Sequence, residues 1–252
     1  MRQYDTLTSR RWDSGHPLWP KKKDGESYKR LTGGAGAIVQ KLKDDGEIDL
    51  CWSVTSILNW TTNAWLGNWY RDVGIRAGLS AKSEEEAKQL FNNETNVASD
   101  RGTLLHQCVE TYLKTGQKPD DPLDAKCMDT MIEAIVSLGI DPSTLGSEKI
   151  VCGSVGHVKC GGTIDLCNDQ CVIDMKFPKS NRKPYLTECS QLVTYDNLLD
   201  IAPNDNRRLI NIYVNQETGE LIGTKEWDEE EIERAEEVFF ACANLSELLM
   251  EI

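Results

Sequence analysis

Asp165, Asp174 and Lys176 fall within one short stretch, GGTIDLCNDQCVIDMK, which begins at Gly161. Each aspartate closes an apolar run. Successive side chains of a strand alternate faces, so Asp174 and Lys176 point the same way with Met175 between them. If the two runs pair through a turn at Asn168-Asp169-Gln170, Asp165 sits across from Asp174. Two carboxylates then face one lysine at the end of a small sheet. Carboxylates this close repel unless a cation lies between them, so the pattern points to Mg²⁺ or Mn²⁺ held by oxygen ligands. The competing reading is an ordinary hairpin with charged residues at its mouth.

Two helices are expected to flank this stretch. Residues 99–115 read as amphipathic, with Ser99 or Asp100 as cap and Gly116 as stop. Leu104, Leu105, Cys108, Val109, Tyr112 and Leu113 recur at helical spacing and form its apolar stripe. His106 and Glu110, four apart, share a face at the stripe's edge, and imidazole and carboxylate both suit a divalent metal. Gly102 lies one turn earlier, where a missing side chain would allow close approach. A lone histidine at such an edge is otherwise structural. The second helix spans about Thr187 to Leu199 and carries Gln191 and Tyr195 four apart. If it crosses the sheet, Gln191 can bond a metal-bound water or a phosphate, and Tyr195 can stack or bond. Between lysine and helix lies a basic strip of Lys179, Arg182 and Lys183, placed to contact phosphate.

These pieces in this order resemble the PD-(D/E)xK nuclease superfamily, in its RecB-like branch of DNA exonucleases. That branch has G-x-x-x-H-x-x-x-E on a helix, G-x-x-D and D-x-K on strands, and Q-x-x-x-Y on a later helix. This chain supplies Gly102…His106…Glu110, Gly162…Asp165, Asp174…Lys176 and Gln191…Tyr195. The run Ser53–Leu58 with Leu66 and Trp69 is similar to the branch's helical lead-in. The layout is most like the mitochondrial genome-maintenance exonuclease family and its phage relatives, over roughly residues 50–250. The resemblance implies hydrolysis of DNA phosphodiester bonds at single-stranded ends, with one or two Mg²⁺ or Mn²⁺ ions. Asp165, Asp174, His106 and the Met175 carbonyl would hold metal, with Glu110 at a second ion. Lys176 would orient or deprotonate the attacking water, or stabilise developing charge, and Gln191 and Tyr195 would position the substrate strand. An endonuclease on the same core is the alternative activity, and a non-catalytic DNA-binding module is a further one. The chain departs from many relatives in following its lysine with Phe177-Pro178. It also lacks the late cysteine group that holds an iron–sulfur cluster in some members, so no cluster is expected.

The resemblance further implies an α/β (α+β) fold with a restriction-endonuclease-like core: a mixed central sheet flanked by helices. The expected division is an arm over residues 1–48, a helical region over 49–145 that includes the site helix, and a nuclease core over 146–252. Helices are expected near 53–60, 62–78, 82–92, 122–138 and 228–250, and strands near 147–153, 156–166, 170–176, 208–214 and 220–226. Trp65 and Trp69 share a helix face and read as core, although aromatic platforms also stack single-stranded bases. Glycines 33, 34 and 36 lack the context of a phosphate loop.

The 252 residues carry 39% hydrophobic and 27% charged residues, ordinary for a globular protein of one sizeable core. No apolar run reaches membrane-spanning length and no signal-peptide core is evident, so a cytoplasmic, intracellular protein is expected, with a phage-encoded one allowed for. Nine cysteines scattered through apolar patterns read as reduced, buried thiols. Cys152, Cys160, Cys167 and Cys171 lack the paired spacing of a zinc knuckle. A net charge of −13 argues against a protein that coats duplex DNA. It leaves room for a nuclease that grips DNA through metal and a local basic strip, with Lys21–Lys23 and Lys29-Arg30 as other candidate strips. Relatives that form rings make a homo-oligomer compatible with the sequence.

Overall fold

A computed structural model describes residues 3–22, 25, 27, 34–59, 64–199 and 207–250; side chains of 34, 64–70, 93–99, 249 and 250 are outside that description. The fold is a mixed sheet of eight strands flanked by helices. Its elements are β1 (Gln3–Asp5), β2 (Arg10–Trp12), α1 (Gly34–Asp44), β3 (Leu50–Ser53), α2 (Val54–Leu58), α3 (Ala64–Ser80) and α4 (Glu84–Thr115). There follow α5 (Pro122–Ser137), β4 (Gly146–Val155), β5 (Val158–Cys167), β6 (Cys171–Lys176), α6 (Leu186–Asn197), β7 (Arg208–Val214), β8 (Leu221–Glu226) and α7 (Glu229–Met250).

Strand β5 organises the sheet. One edge pairs with β4 along its whole length, antiparallel. The other edge is shared: β3 pairs in parallel at Cys160 and Gly161, and β6 pairs antiparallel at Leu166 and Cys167. Between these contacts, around residues 162–165, the shared edge is a fork. Beyond β6 the order continues through β7, parallel to it, and β8, antiparallel.

Two apolar layers close on the two faces. Leu105, Val109, Met128, Met131 and Ile135 from α4 and α5 pack on Ile173, Met175, Ile210 and Ile212. On the opposite face, Leu192 and Phe239 from α6 and α7 pack on Val172, Ile164 and Leu209. Period-two alternation thus divides β6: Ile173 and Met175 enter the α4/α5 layer, leaving Asp174 and Lys176 on the α6 face. In β5 the alternation breaks. Ile164 packs in one layer and Leu166, two residues on, in the other, so the strand turns over at Asp165.

Three expectations from the sequence are corrected. The acidic helix near 82–92 and the site helix 99–115 are one 32-residue helix, α4. Ser83 caps its start by accepting the Glu86 N–H at 3.2 Å, and no glycine or proline between residues 92 and 101 interrupts it, so Asp100 is interior and not a cap. Gly116, left-handed at φ 72°, ends it as expected. Gly102 is not a point of close packing within the protein, since a Cβ there would meet nothing within 4 Å. Finally, residues 3–12, read as part of an extended arm, build the far edge of the sheet: β1 pairs with β3 and with β2. These strands are three residues long, too short to show an alternating pattern. Lys23, Lys29 and Arg30 of the other basic strips, Gly33 and Trp60 lie outside the described residues, as do the side chains of Trp65, Leu66 and Trp69.

Two glycines let layers close over the fork. A Cβ on Gly162 would lie 2.2 Å from Cε1 of Tyr195, so the buried ring seats directly on the bare backbone of β5. A Cβ on Gly161 would fall 3.0 Å from Cβ of Tyr4, whose hydroxyl sits 3.1 Å from Thr163 Oγ1. Overpacking a filled core typically costs about 1–3 kcal/mol. Gly162→Ala is expected to destabilise the protein by about that amount, read from its urea midpoint; a wild-type midpoint would show that the Tyr195 ring can move aside freely.

Candidate metal centre and active site

The hairpin joining β5 to β6 turns where the sequence places it. Asn168 N–H donates to Cys171 O at 3.0 Å, and Asn168 Oδ1 accepts from the N–H groups of Gln170 and Cys171. The ladder then stops after the Leu166–Ile173 pair. The next backbone donor of β6, Met175 N–H, goes to Asp165 Oδ2 at 2.8 Å. Asp165 thus spans the fork with its side chain. In an extended strand the N–H and C=O of one residue point to the same side, so the Met175 carbonyl also faces the fork.

Asp174 is 5% exposed and its carboxylate is fully engaged. Lys176 Nζ lies 2.8 Å away, Asn211 Nδ2 donates to Oδ2 at 2.6 Å, and Gln191 Nε2 donates to Oδ1 at 3.2 Å. Asn211 is itself held by the Trp227 indole N–H, 2.7 Å from its Oδ1. Burial pushes the Asp174 carboxyl up to about 6, with Asp165 adding to the rise and Lys176 opposing it. For Lys176, burial works against the ammonium, but Asp174, Glu188 and Asp165 outweigh it and hold the group above the ordinary lysine value.

His106 reaches the fork from α4, with Nδ1 3.4 Å from Asp165 Oδ1. Its ring stands edge-on to Phe177 at 5.4 Å, which gives the residue after the motif lysine a place: it walls the histidine. Desolvation disfavours the imidazolium, yet Asp165 and Asp174 prevail and raise His106. Among the described residues, His106, Glu148 and Asp165 each offer a ligand atom within 4.8 Å of the others. Asp165, Asp174 and His106 bring oxygen and nitrogen donors together at one point, and such a set suits Mg²⁺ or Mn²⁺.

The other expected site residues divide. Gln191 is at the site, bridging Asp174 and, at 3.4 Å, the Tyr195 hydroxyl. Tyr195 is 4% exposed and packed on Gly162, so it buttresses Gln191 instead of presenting a face to a substrate strand. Glu110 is ion-paired to Lys114 on its own helix and stands outside the three-residue cluster. Arg182 pairs with Glu188 and stacks on Tyr185 and Tyr213, at 5.0 Å from each ring, so it is not a free phosphate contact. Lys179 and Lys183 are exposed, Lys179 with Glu217 at 3.9 Å. Two residues of the site were missed. Asn211 is a polar residue inside the apolar run RLINIYV, a signal visible in the sequence. Glu148 gives no such signal. Among the described residues the cluster of possible metal ligands contains no cysteine, and burial pushes the thiols of Cys51, Cys160 and Cys189 up to about 12 and that of Cys171 up to about 11.

No protein-family model matches the chain, and no curated protein matches it. Among solved structures, a protein named "Putative exonuclease" from Eubacterium rectale aligns over 88% of this chain and 87% of its own, at 10% identity and a TM-score of 0.46. A protein named SSO0001 aligns over 70% of this chain and 86% of its own, at 16% identity and a TM-score of 0.35. Both superpositions are loose, and the functional reading rests on the residues of the site.

Metal ligands must be deprotonated, and both raised groups, Asp174 and His106, take up protons as pH falls. A carboxyl with a pKa of about 6 is mostly charged at about pH 7.5 and mostly neutral at about pH 5. Mn²⁺ affinity measured calorimetrically is therefore expected to drop at least about 10-fold over that interval. Unchanged affinity would mean that no group titrating across this interval holds the metal.

Proposed function

We propose that this protein is a divalent-metal-dependent nuclease that hydrolyses DNA phosphodiester bonds, acting from single-stranded ends. The observation that carries the reading is the meeting of Asp165, Asp174, Lys176 and His106 at the fork of the sheet, with Lys176 Nζ 2.8 Å from Asp174. A structural ion pair alone does not call for this arrangement. A second carboxylate at the same point, facing an imidazole, leaves an excess of negative charge that one ammonium does not balance.

Asp165, Asp174, His106 and the Met175 carbonyl would hold the metal, which when bound supplies positive charge to the scissile phosphate and acidifies a bound water. Lys176 projects on the same face as Asp174 and remains partly exposed, so its ammonium can donate to the attacking water or to the phosphate oxygens as charge develops. Asp174 keeps that ammonium in place, and Asn211 and Gln191 keep Asp174 in place. Gln191, partly exposed, can also donate to a phosphate or a bound water. Lys179 and Lys183 flank the paired Arg182 on the segment after β6 and would meet the substrate backbone. A protein of net charge −13 gains little from long-range attraction to DNA, so metal and these local cations must supply the grip.

The test is digestion of end-labelled linear single-stranded DNA beside a closed single-stranded circle, with Mg²⁺, Mn²⁺ or EDTA. Loss of the linear strand alone, abolished by EDTA and by Lys176→Ala in a variant of wild-type circular dichroism, is the expected result. Cutting of the circle as well would make the protein an endonuclease. Wild-type cleavage by Lys176→Ala would sink the proposed role of the lysine.

A further inference from the structure

The turn between β7 and β8 carries a buried side chain that the metal chemistry does not use. Gln216 is 6% exposed. Its backbone N–H donates to the Pro178 carbonyl at 3.1 Å, and its Nε2 donates to the Phe177 carbonyl at 2.8 Å. Phe177 is the residue whose ring walls His106, so Gln216 backs the segment that leaves the motif lysine. Beside that segment opens a recess of about 430 Å³, lined by Arg101, Asp121, Leu123, Lys179, Gln216 and Glu217. The volume is in the range of small-molecule clefts.

The Gln216 amide says what this recess would take. A carbonyl only accepts, so the Phe177 carbonyl holds the amide nitrogen toward itself and the two amide atoms are not interchangeable. The other atom, Oε1, is buried and has no hydrogen-bond partner among the described residues. An acceptor buried without a partner is unfavourable, and a ligand N–H would complete it. Because Gln216 is so little exposed, only a slim edge group such as an amino group can reach it. The Asp121 and Glu217 carboxylates add acceptors to the same wall, and Leu123 adds apolar surface. The two cations differ in availability. Arg101 is committed to Asp124 and, at 3.5 Å, to the Gln216 carbonyl, whereas the Lys179 side chain is 56% exposed with Glu217 at 3.9 Å.

We infer that the recess is a subsite for one unpaired base of the substrate strand, with that nucleotide's phosphate on Lys179 and an exocyclic amino group of the base on Gln216 Oε1. The inference rests on the nuclease reading of the fork and adds a base preference to it. Adenine and cytosine carry an amino group on the edge where thymine and uracil carry a carbonyl. A carbonyl there would set acceptor against acceptor at Gln216 and Glu217. In a duplex the amino group is taken by base pairing, so the subsite reads single strands.

Cytosine and uracil differ only in that edge group, which makes them the test pair. Short end-labelled strands of deoxycytidine and of deoxyuridine are digested by the whole chain with Mg²⁺ or Mn²⁺, and kcat/KM is compared. The deoxycytidine strand is expected to be preferred at least about 10-fold, since a site built to hydrogen-bond an N–H rejects the analogue lacking it. Gln216→Leu removes the acceptor but also frees the Phe177 carbonyl, so the second variant is Glu217→Trp, a ring placed at the mouth from an exposed position. With wild-type circular dichroism, Glu217→Trp should bring the deoxycytidine strand down to the deoxyuridine level and leave the latter near its wild-type value. Equal kcat/KM for the two strands, a preference for uracil, or a cytosine preference that Glu217→Trp leaves unchanged would overturn the subsite while leaving the nuclease reading intact. Absence of cleavage of either strand with either metal would end both.

Discussion

Negative charge converges on one point of this molecule, and much of the surrounding structure answers to it. Asp165, Asp174 and Glu188 all act on the single ammonium of Lys176. Taking carboxylates out of water is costly, and one lysine cannot compensate several of them in a buried setting. The polar network is the protein's own partial remedy. Asn211 and Gln191 donate to Asp174, Met175 N–H donates to Asp165, and Arg182 with the Tyr213 hydroxyl satisfies Glu188. What this network leaves only partly compensated is negative charge.

The network also shows how a site is kept stiff. Trp227 fixes Asn211, which fixes Asp174, which fixes Lys176. Each member is locked by the one behind it, so the lysine's position traces back to an indole packed against the sheet. Glu188 anchors the other flank. It accepts the Tyr185 N–H at the start of α6 while pairing with Arg182, so one carboxylate both caps the helix and ties down the loop leading into it. Burial works against that carboxylate, but Arg182 and Lys176 hold it below the usual range and therefore charged.

Much of this was legible in the sequence. Strands β4 to β8 and helices α5 to α7 announce themselves through alternation, helical periodicity and turn chemistry, and the Asn168 turn falls where its residues demand. The Asp-x-Lys spacing alone places two side chains on one face. What the sequence withheld depends on distant pairing. Nothing local distinguishes Glu148 from any exposed acid on an edge strand; only its register against Asp165 gives it meaning. Tyr195 reads as a stacking platform until the bare backbone of Gly162 is seen beneath it. Arg182 reads as a free cation until Glu188, six positions on, is found beside it. The unbroken length of α4 was obscured by capping residues that end a helix only when a breaker accompanies them.

The fork has a consequence for how the chain comes into being. Its β3 arm pairs Trp52 with Cys160 and Ser53 with Gly161, roughly a hundred positions apart, whereas β4, β5 and β6 are sequential neighbours. Loop-closure entropy makes the long-range junction slow relative to the hairpins. During synthesis the β5-facing edge of β3 must therefore wait until β5 emerges, and β7 must follow before Asn211 can reach Asp174. The network that holds Asp174 and Lys176 thus closes only after strands far apart in the chain have paired.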